Sequence, residues 1–92
     1  MLHLVMDSPF QTRALEQCLA YRAEDDGIVL LQDGVIAACT TASAARLAGL
    51  TLYVLQEDVL ARGLTTQIGT MITMADLVDL IAETGSPQRW AG

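Results

Sequence analysis

Apolar positions fall along the chain in short continuous runs separated by stripes of helical period. Leu2 to Met6 is the first run, interrupted only by His3, and predicts a strand. Ser8-Pro9-Phe10-Gln11 then reads as a helix start, with Ser8 as cap, Pro9 at the first helical position and Gln11 completing a capping box. Ala14, Leu15, Cys18 and Leu19 form one stripe on that helix, which Glu24-Asp25-Asp26-Gly27 ends. Ile28 to Leu31 is continuous, the mark of a strand buried on both faces, and Gln32-Asp33-Gly34 turns the chain. Val35 to Cys39 is ambiguous between strand and helical turn.

Thr41 to Leu47 reads as a short helix closed by Gly49, and Leu50 to Leu55 as another buried strand. Glu57 to Gly63 predicts a helix of one to two turns, with acids at its start and Gly63 at its stop. Met71 to Met74 is the last predicted strand and Ala75 to Thr84 the last helix, stopped by Gly85. Strands alternating with helices predict an α/β fold, a single small domain with a mainly parallel sheet of four or five strands flanked by helices. The domain is expected over residues 1–85, and 86–92 as a C-terminal tail holding the only tryptophan.

Composition narrows the function classes. A chain of 92 residues has room for one domain. Its net charge of -6 is the wrong sign for gripping nucleic acid through phosphates, and Arg13, Arg22, Arg46, Arg62 and Arg89 are dispersed. The absence of lysine removes Schiff-base chemistry and a P-loop amine. Counted with glycine, apolar residues make up about 58%, above the roughly 45–50% of ordinary domains. So small a body buries only about 60–65% of its unfolded surface, so the surplus is expected on an exposed patch that meets a partner. No basic leader precedes the first apolar run and no run reaches the ~18 residues of a membrane span. The expectation is a cytoplasmic protein with two reduced thiols, Cys18 and Cys39, and no membrane contact.

In α/β folds, ligands gather at the carboxyl ends of the strands. Asp7-Ser8, Gln32-Asp33 and Gln56-Glu57-Asp58 fall there. They suit a carboxylate cluster, but more economically they suit caps and turns. A phosphoacceptor of receiver type would call for a lysine as well. His3 has no metal or nucleophile partner at any recognisable spacing, so no metal and no cofactor is expected. Cys18 is the sharper candidate: a sulfur carrier needs an accessible thiol of lowered pKa that exchanges with a second thiol. Its place late in a helix, on the apolar stripe, equally suits a small buried hydrophobe. Cys39, inside an apolar run, suits burial better still.

The opening Met1-Leu2-His3 with Ser8-Pro9-Phe10, the stretch Leu30 to Val35 followed by Ala37-Ala38, and the block Tyr53 to Leu64 resemble the TusB/DsrH family. The tail with Gln88 and Trp90 is similar too, and the likeness spans nearly the whole chain. The resemblance implies a DsrE/F/H-like fold. It also implies assembly with TusC/DsrF-like and TusD/DsrE-like subunits into a heterohexamer with two copies of each. Such complexes relay persulfide sulfur to a TusE/DsrC-like acceptor, either for 2-thiouridine at the wobble position of certain tRNAs or in sulfur oxidation. The principal sulfur-carrying cysteine is expected on the TusD/DsrE-like partner.

Cys18 matches a cysteine in the first helix of DsrH-type members, which marks it as a candidate persulfide carrier. Asp33, Gly34, Glu57, Asp58, Arg62 and Gly63 are the motif residues expected to shape turns and surfaces near the sheet edge. The Ala-rich segment from Ala42 to Ala48 departs from many relatives. Three readings follow: an accessory subunit of a sulfur relay, a chain whose own Cys18 passes sulfur, and a homo-oligomeric binding module without sulfur chemistry. None has this subunit contacting tRNA directly.

Overall fold

The computed structural model describes residues 1–91, in which five strands form one sheet of order β4-β3-β2-β1-β5. The strands are β1 (Leu2–Val5), β2 (Gly27–Leu30), β3 (Leu52–Leu55), β4 (Thr70–Ile72) and β5 (Gln88–Trp90). All four pairings are parallel. The helices are α1 (Ala14–Tyr21), α2 (Thr41–Leu47), α3 (Gln56–Ala61) and α4 (Met74–Thr84), and a 3-10 helix runs over Gln32–Ala38. This is the expected α/β architecture.

Side chains alternate across a strand, and the alternation builds two cores. Val5, Ile28, Leu30, Leu52 and Val54 face Leu15 and Cys18 of α1, Val35, Ala37 and Ala38 of the 3-10 helix, Leu47 of α2 and Val59 of α3. Leu2, Leu4, Val29, Leu31, Leu55 and Ile72 face the opposite way, onto Leu77 of α4. A strand packed on both faces has no polar side, which is why β2 reads as a continuous apolar run and β1 as one broken only by His3.

Several local expectations are corrected. Ser8 caps no helix. Its Oγ accepts the Phe10 N–H at 3.2 Å and its carbonyl accepts the N–H groups of Gln11 and Thr12, closing a turn. The helix starts only at Ala14, where Ala14 and Leu15 first reach the core. The ambiguous stretch 35–39 ends a 3-10 helix at Ala38. The last predicted strand lies one residue earlier and ends at Ile72, because Thr73 caps α4 instead. Thr73 Oγ1 accepts the Asp76 N–H at 3.2 Å, and Asp76 Oδ2 accepts the Thr73 N–H at 3.0 Å. The segment expected as a tail carries β5, paired with β1 through His3–Gln88, Leu4–Arg89 and Val5–Trp90.

Four of the exposed large apolar side chains, Leu60, Met71, Met74 and Val78, belong to α3, β4 and α4, the elements at or next to the β4 edge. Among the described residues no helix is long and apolar enough to cross a membrane.

Candidate functional site

The carboxyl ends of β2 and β3 bring together three of the motif residues. Gln32 follows β2 with φ +52, the one non-glycine residue of positive φ among those described. That left-handed turn is costly for a residue with a Cβ. It directs the Gln32 N–H at Asp58 Oδ2, 2.6 Å away on α3. Arg62, just past α3, reaches Asp33 Oδ1 with Nε at 3.1 Å and with a terminal nitrogen at 3.0 Å. Its other terminal nitrogen lies 3.2 Å from the Asp58 carbonyl and 3.6 Å from Asp58 Oδ1. Asp33, Asp58 and Arg62 therefore tie the 3-10 helix to α3 across the top of the sheet. They are solvent-exposed pairs, each worth about 0–1 kcal/mol.

The remaining motif residues stand apart. Gly34 is buried under β1: its N–H lies 3.2 Å from the Met6 carbonyl, and a Cβ would collide with the Val5 carbonyl oxygen. Glu57 points toward α4, where its Oε2 accepts the Met74 N–H at 2.9 Å. Gly63 takes φ +63 and closes α3, with its N–H on the Leu60 carbonyl at 3.1 Å. Asp7 accepts the Thr12 hydroxyl at 3.1 Å. Each of these carboxylates accepts from a backbone N–H, a hydroxyl or a guanidinium, so the ridge holds loops in place. Among the described residues no three His, Cys, Asp or Glu side chains group closely enough to hold a metal, and the surface forms no cavity.

Cys18 sits on the α1 face turned to the sheet and is fully buried. Burial pushes its thiol up to about 11, with Arg22 lowering it and Asp26 raising it further. At neutral pH the thiolate fraction is then about one in ten thousand. Sulfur could reach this atom only if α1 lifted from the sheet. Cys39 is half-buried, its Sγ donates to the Val35 carbonyl at 3.3 Å, and burial raises its pKa too.

A second constellation escapes the motifs. His3, fully buried, lies 2.7 Å from Asp26 Oδ2 through Nε2 and 3.0 Å from the Trp90 indole nitrogen through Nδ1. Asp26 also accepts the Ala23 N–H at 2.9 Å and the N-terminal ammonium at 2.9 Å. These donors, His3 foremost, hold its carboxyl well below the usual carboxylate range. The available sequence signal was a lone imidazole on a strand buried on both faces, which must find a polar partner. Its partners lie 23 and 87 residues away, beyond any local pattern.

Comparison with known proteins places this geometry. Residues 7–86 match the family model described as DsrH like protein. The chain is 44% identical over 84 residues to Protein TusB of Erwinia tasmaniensis, covering 88% of this chain and 87% of that one. It is 41% identical over 86 residues to Protein TusB of Yersinia pestis, covering 87% and 90%. The solution NMR structure of protein Tm0979 from Thermotoga maritima superposes with a TM-score of 0.64 at 22% identity, over 91% of this chain and 94% of that one, a likeness of fold.

Proposed function

From the premise that this chain belongs to the DsrH-like family, with TusB proteins among its relatives, we propose that it is an accessory subunit of a sulfur-relay complex. The proposed assembly is a heterohexamer with TusC/DsrF-like and TusD/DsrE-like chains. It passes persulfide sulfur to a TusE/DsrC-like acceptor, and the sulfur ends in 2-thiouridine at the tRNA wobble position. The observation that carries this reading is the identity of 41–44% to proteins named TusB over nearly the full length of both chains. That name favours the tRNA branch over sulfur oxidation.

The geometry supports an accessory part. The carrier thiol must be reachable and easily ionised, whereas Cys18 is buried with a raised pKa. A TusD/DsrE-like partner then supplies the working cysteine. Exposed Leu60, Met71, Met74 and Val78 support a subunit that meets others, since apolar surface of this kind marks association sites.

Co-expression with TusC- and TusD-like chains tests the reading. The expected result is a stable complex that elutes ahead of the isolated chain and contains all three. A chain that elutes alone at micromolar concentration overturns it. Intact-mass analysis after loading with a sulfur donor locates the persulfide. The complex carrying Cys18→Ser is expected to load and transfer as the wild type does.

A further inference from the structure

The His3 constellation is not used by the proposed function, and its hydrogen-bond chemistry permits one arrangement of protons. An indole N–H donates and cannot accept. The bond from Trp90 therefore requires a lone pair on His3 Nδ1, and Nε2 carries the proton given to Asp26 Oδ2. The imidazole is neutral as long as Trp90 is bound to it. We propose that the His3–Trp90 bond is a protonation-sensitive latch on the C-terminal strand: a proton taken up at His3 Nδ1 breaks the bond and loosens β5 from β1.

The groups around His3 fix the direction of the effect. From β1 itself, the N-terminal ammonium reaches Asp26 rather than the ring. From the loop before β2, the Asp26 carboxylate faces Nε2 and stays ionised well into acid. From α1, the Tyr21 ring stands edge-on at 6.1 Å, the Cys18 thiol lies in the field of Asp26, and the Arg22 guanidinium reaches the Glu24 and Asp26 carbonyls. From β2, the register partner of His3 is the apolar Ile28. From β5, only Trp90 faces the ring with a polar hydrogen. An added proton thus strengthens the bond to Asp26 while setting two N–H groups against each other at Nδ1. The whole loss falls on Trp90.

β5 is the element least able to absorb it. It has three residues, pairs with β1 alone, and exposes Gln88 and Arg89. Besides its ladder to β1 and the packing of Trp90 against the core, its ties include the Met6 N–H on the Trp90 carbonyl at 3.2 Å, an Arg89–Met6 sulfur contact at 3.7 Å, and Trp90 against Tyr21 at 5.4 Å between centroids. Acid is expected to unfasten this strand while the sheet behind it holds.

Trp90 is the only tryptophan, so its indole N–H gives a single nitrogen-correlated NMR resonance. A pH series of the isolated wild-type chain from about pH 8 down to about pH 5 decides the matter. Protection factors, which correct for the intrinsic pH dependence of exchange, are followed at the indole N–H, the Met6 amide and the central Val54 amide. The first two are expected to fall about tenfold toward pH 5, the order of one lost hydrogen bond, with Val54 unchanged. His3→Gln is expected to flatten the response. Constant indole protection in the wild type overturns the proposal, as does a loss shared equally by Val54, which would be global unfolding. Both outcomes are read on the wild type, so neither depends on the variant folding. Failure here leaves the subunit reading of the protein untouched.

Discussion

At the scale of single residues, what decides is how much room and water each atom has. Gly34 is the tightest case, because its missing Cβ is what lets the 3-10 helix lie against the β1 backbone. The obstacle is a main-chain oxygen that cannot rotate away, so Gly34→Ala is expected to cost at least about 1–3 kcal/mol, measured by urea unfolding. Gly63→Ala meets no neighbour and bears only the strain of φ +63, about 1 kcal/mol.

Cys18 gives a prediction with a sign. Its pKa is about 11 when folded, against an ordinary value of 9.0. The neutral thiol favours the folded state fully below pH 9, and that contribution is lost as pH rises through 11. Wild type is therefore expected to lose about 2–3 kcal/mol more than Cys18→Ala between those limits, followed by unfolding at stepped pH.

At the scale of elements, the helices begin where side chains reach the core, and only α4 adds a side-chain cap, since α1, α2 and α3 start without one. At α4 both conditions meet. Thr73 and Asp76 close a reciprocal box, and Leu77 follows directly into the core. Thr73→Ala is expected to cost about 1 kcal/mol, seen as a lowered urea midpoint with unchanged slope. At Ser8 only the cap condition is met. Pro9-Phe10 leads away from the core, Phe10 is 75% exposed, and the turn takes the hydrogen bonds a helix would have used. The chain's residues state the cap chemistry in both places, but not which one has a core beneath it.

The same reasoning separates the strands. β1, β2 and β3 were legible because burial on both faces writes an apolar run, broken in β1 only by His3. β5 was not, since Gln88 and Arg89 are polar and exposed and Trp90 is fastened by a partner at the other end of the chain. The motif residues were singled out through the resemblance, and the fold brings only three of them together. That Asp33, Asp58 and Arg62 converge while Glu57 serves α4 depends on strand order, which no local spacing encodes.

At the scale of the whole molecule, charge decides what the chain can touch. The formal net charge is -6, and the structure leaves little positive potential to set against it. Arg62 is shared by Asp33 and Asp58, and Glu16 is paired with both Arg13 and Arg46. Arg22 is turned to backbone carbonyls at the end of α1. Affinity for nucleic acid comes largely from cations that displace condensed counterions, and it falls steeply with salt in proportion to the phosphates neutralised. With four guanidiniums engaged in this way and exposed Arg89 contacting the Met6 sulfur, the surface has little to offer. If the proposed pathway ends on tRNA, the positive surface belongs to another protein. The isolated chain is expected to show no retention of tRNA in a filter-binding titration at about 0.1 M salt, where even non-specific binders hold at 10⁻⁴–10⁻⁶ M. Neutralising the ridge with Asp33→Asn and Asp58→Asn raises the net charge by two and removes both carboxylates from Arg62, yet a single guanidinium adds at most one phosphate contact. The double variant is expected to remain below detection as well. Salt-sensitive binding by the wild type at micromolar concentration would place the tRNA-facing surface on this subunit after all.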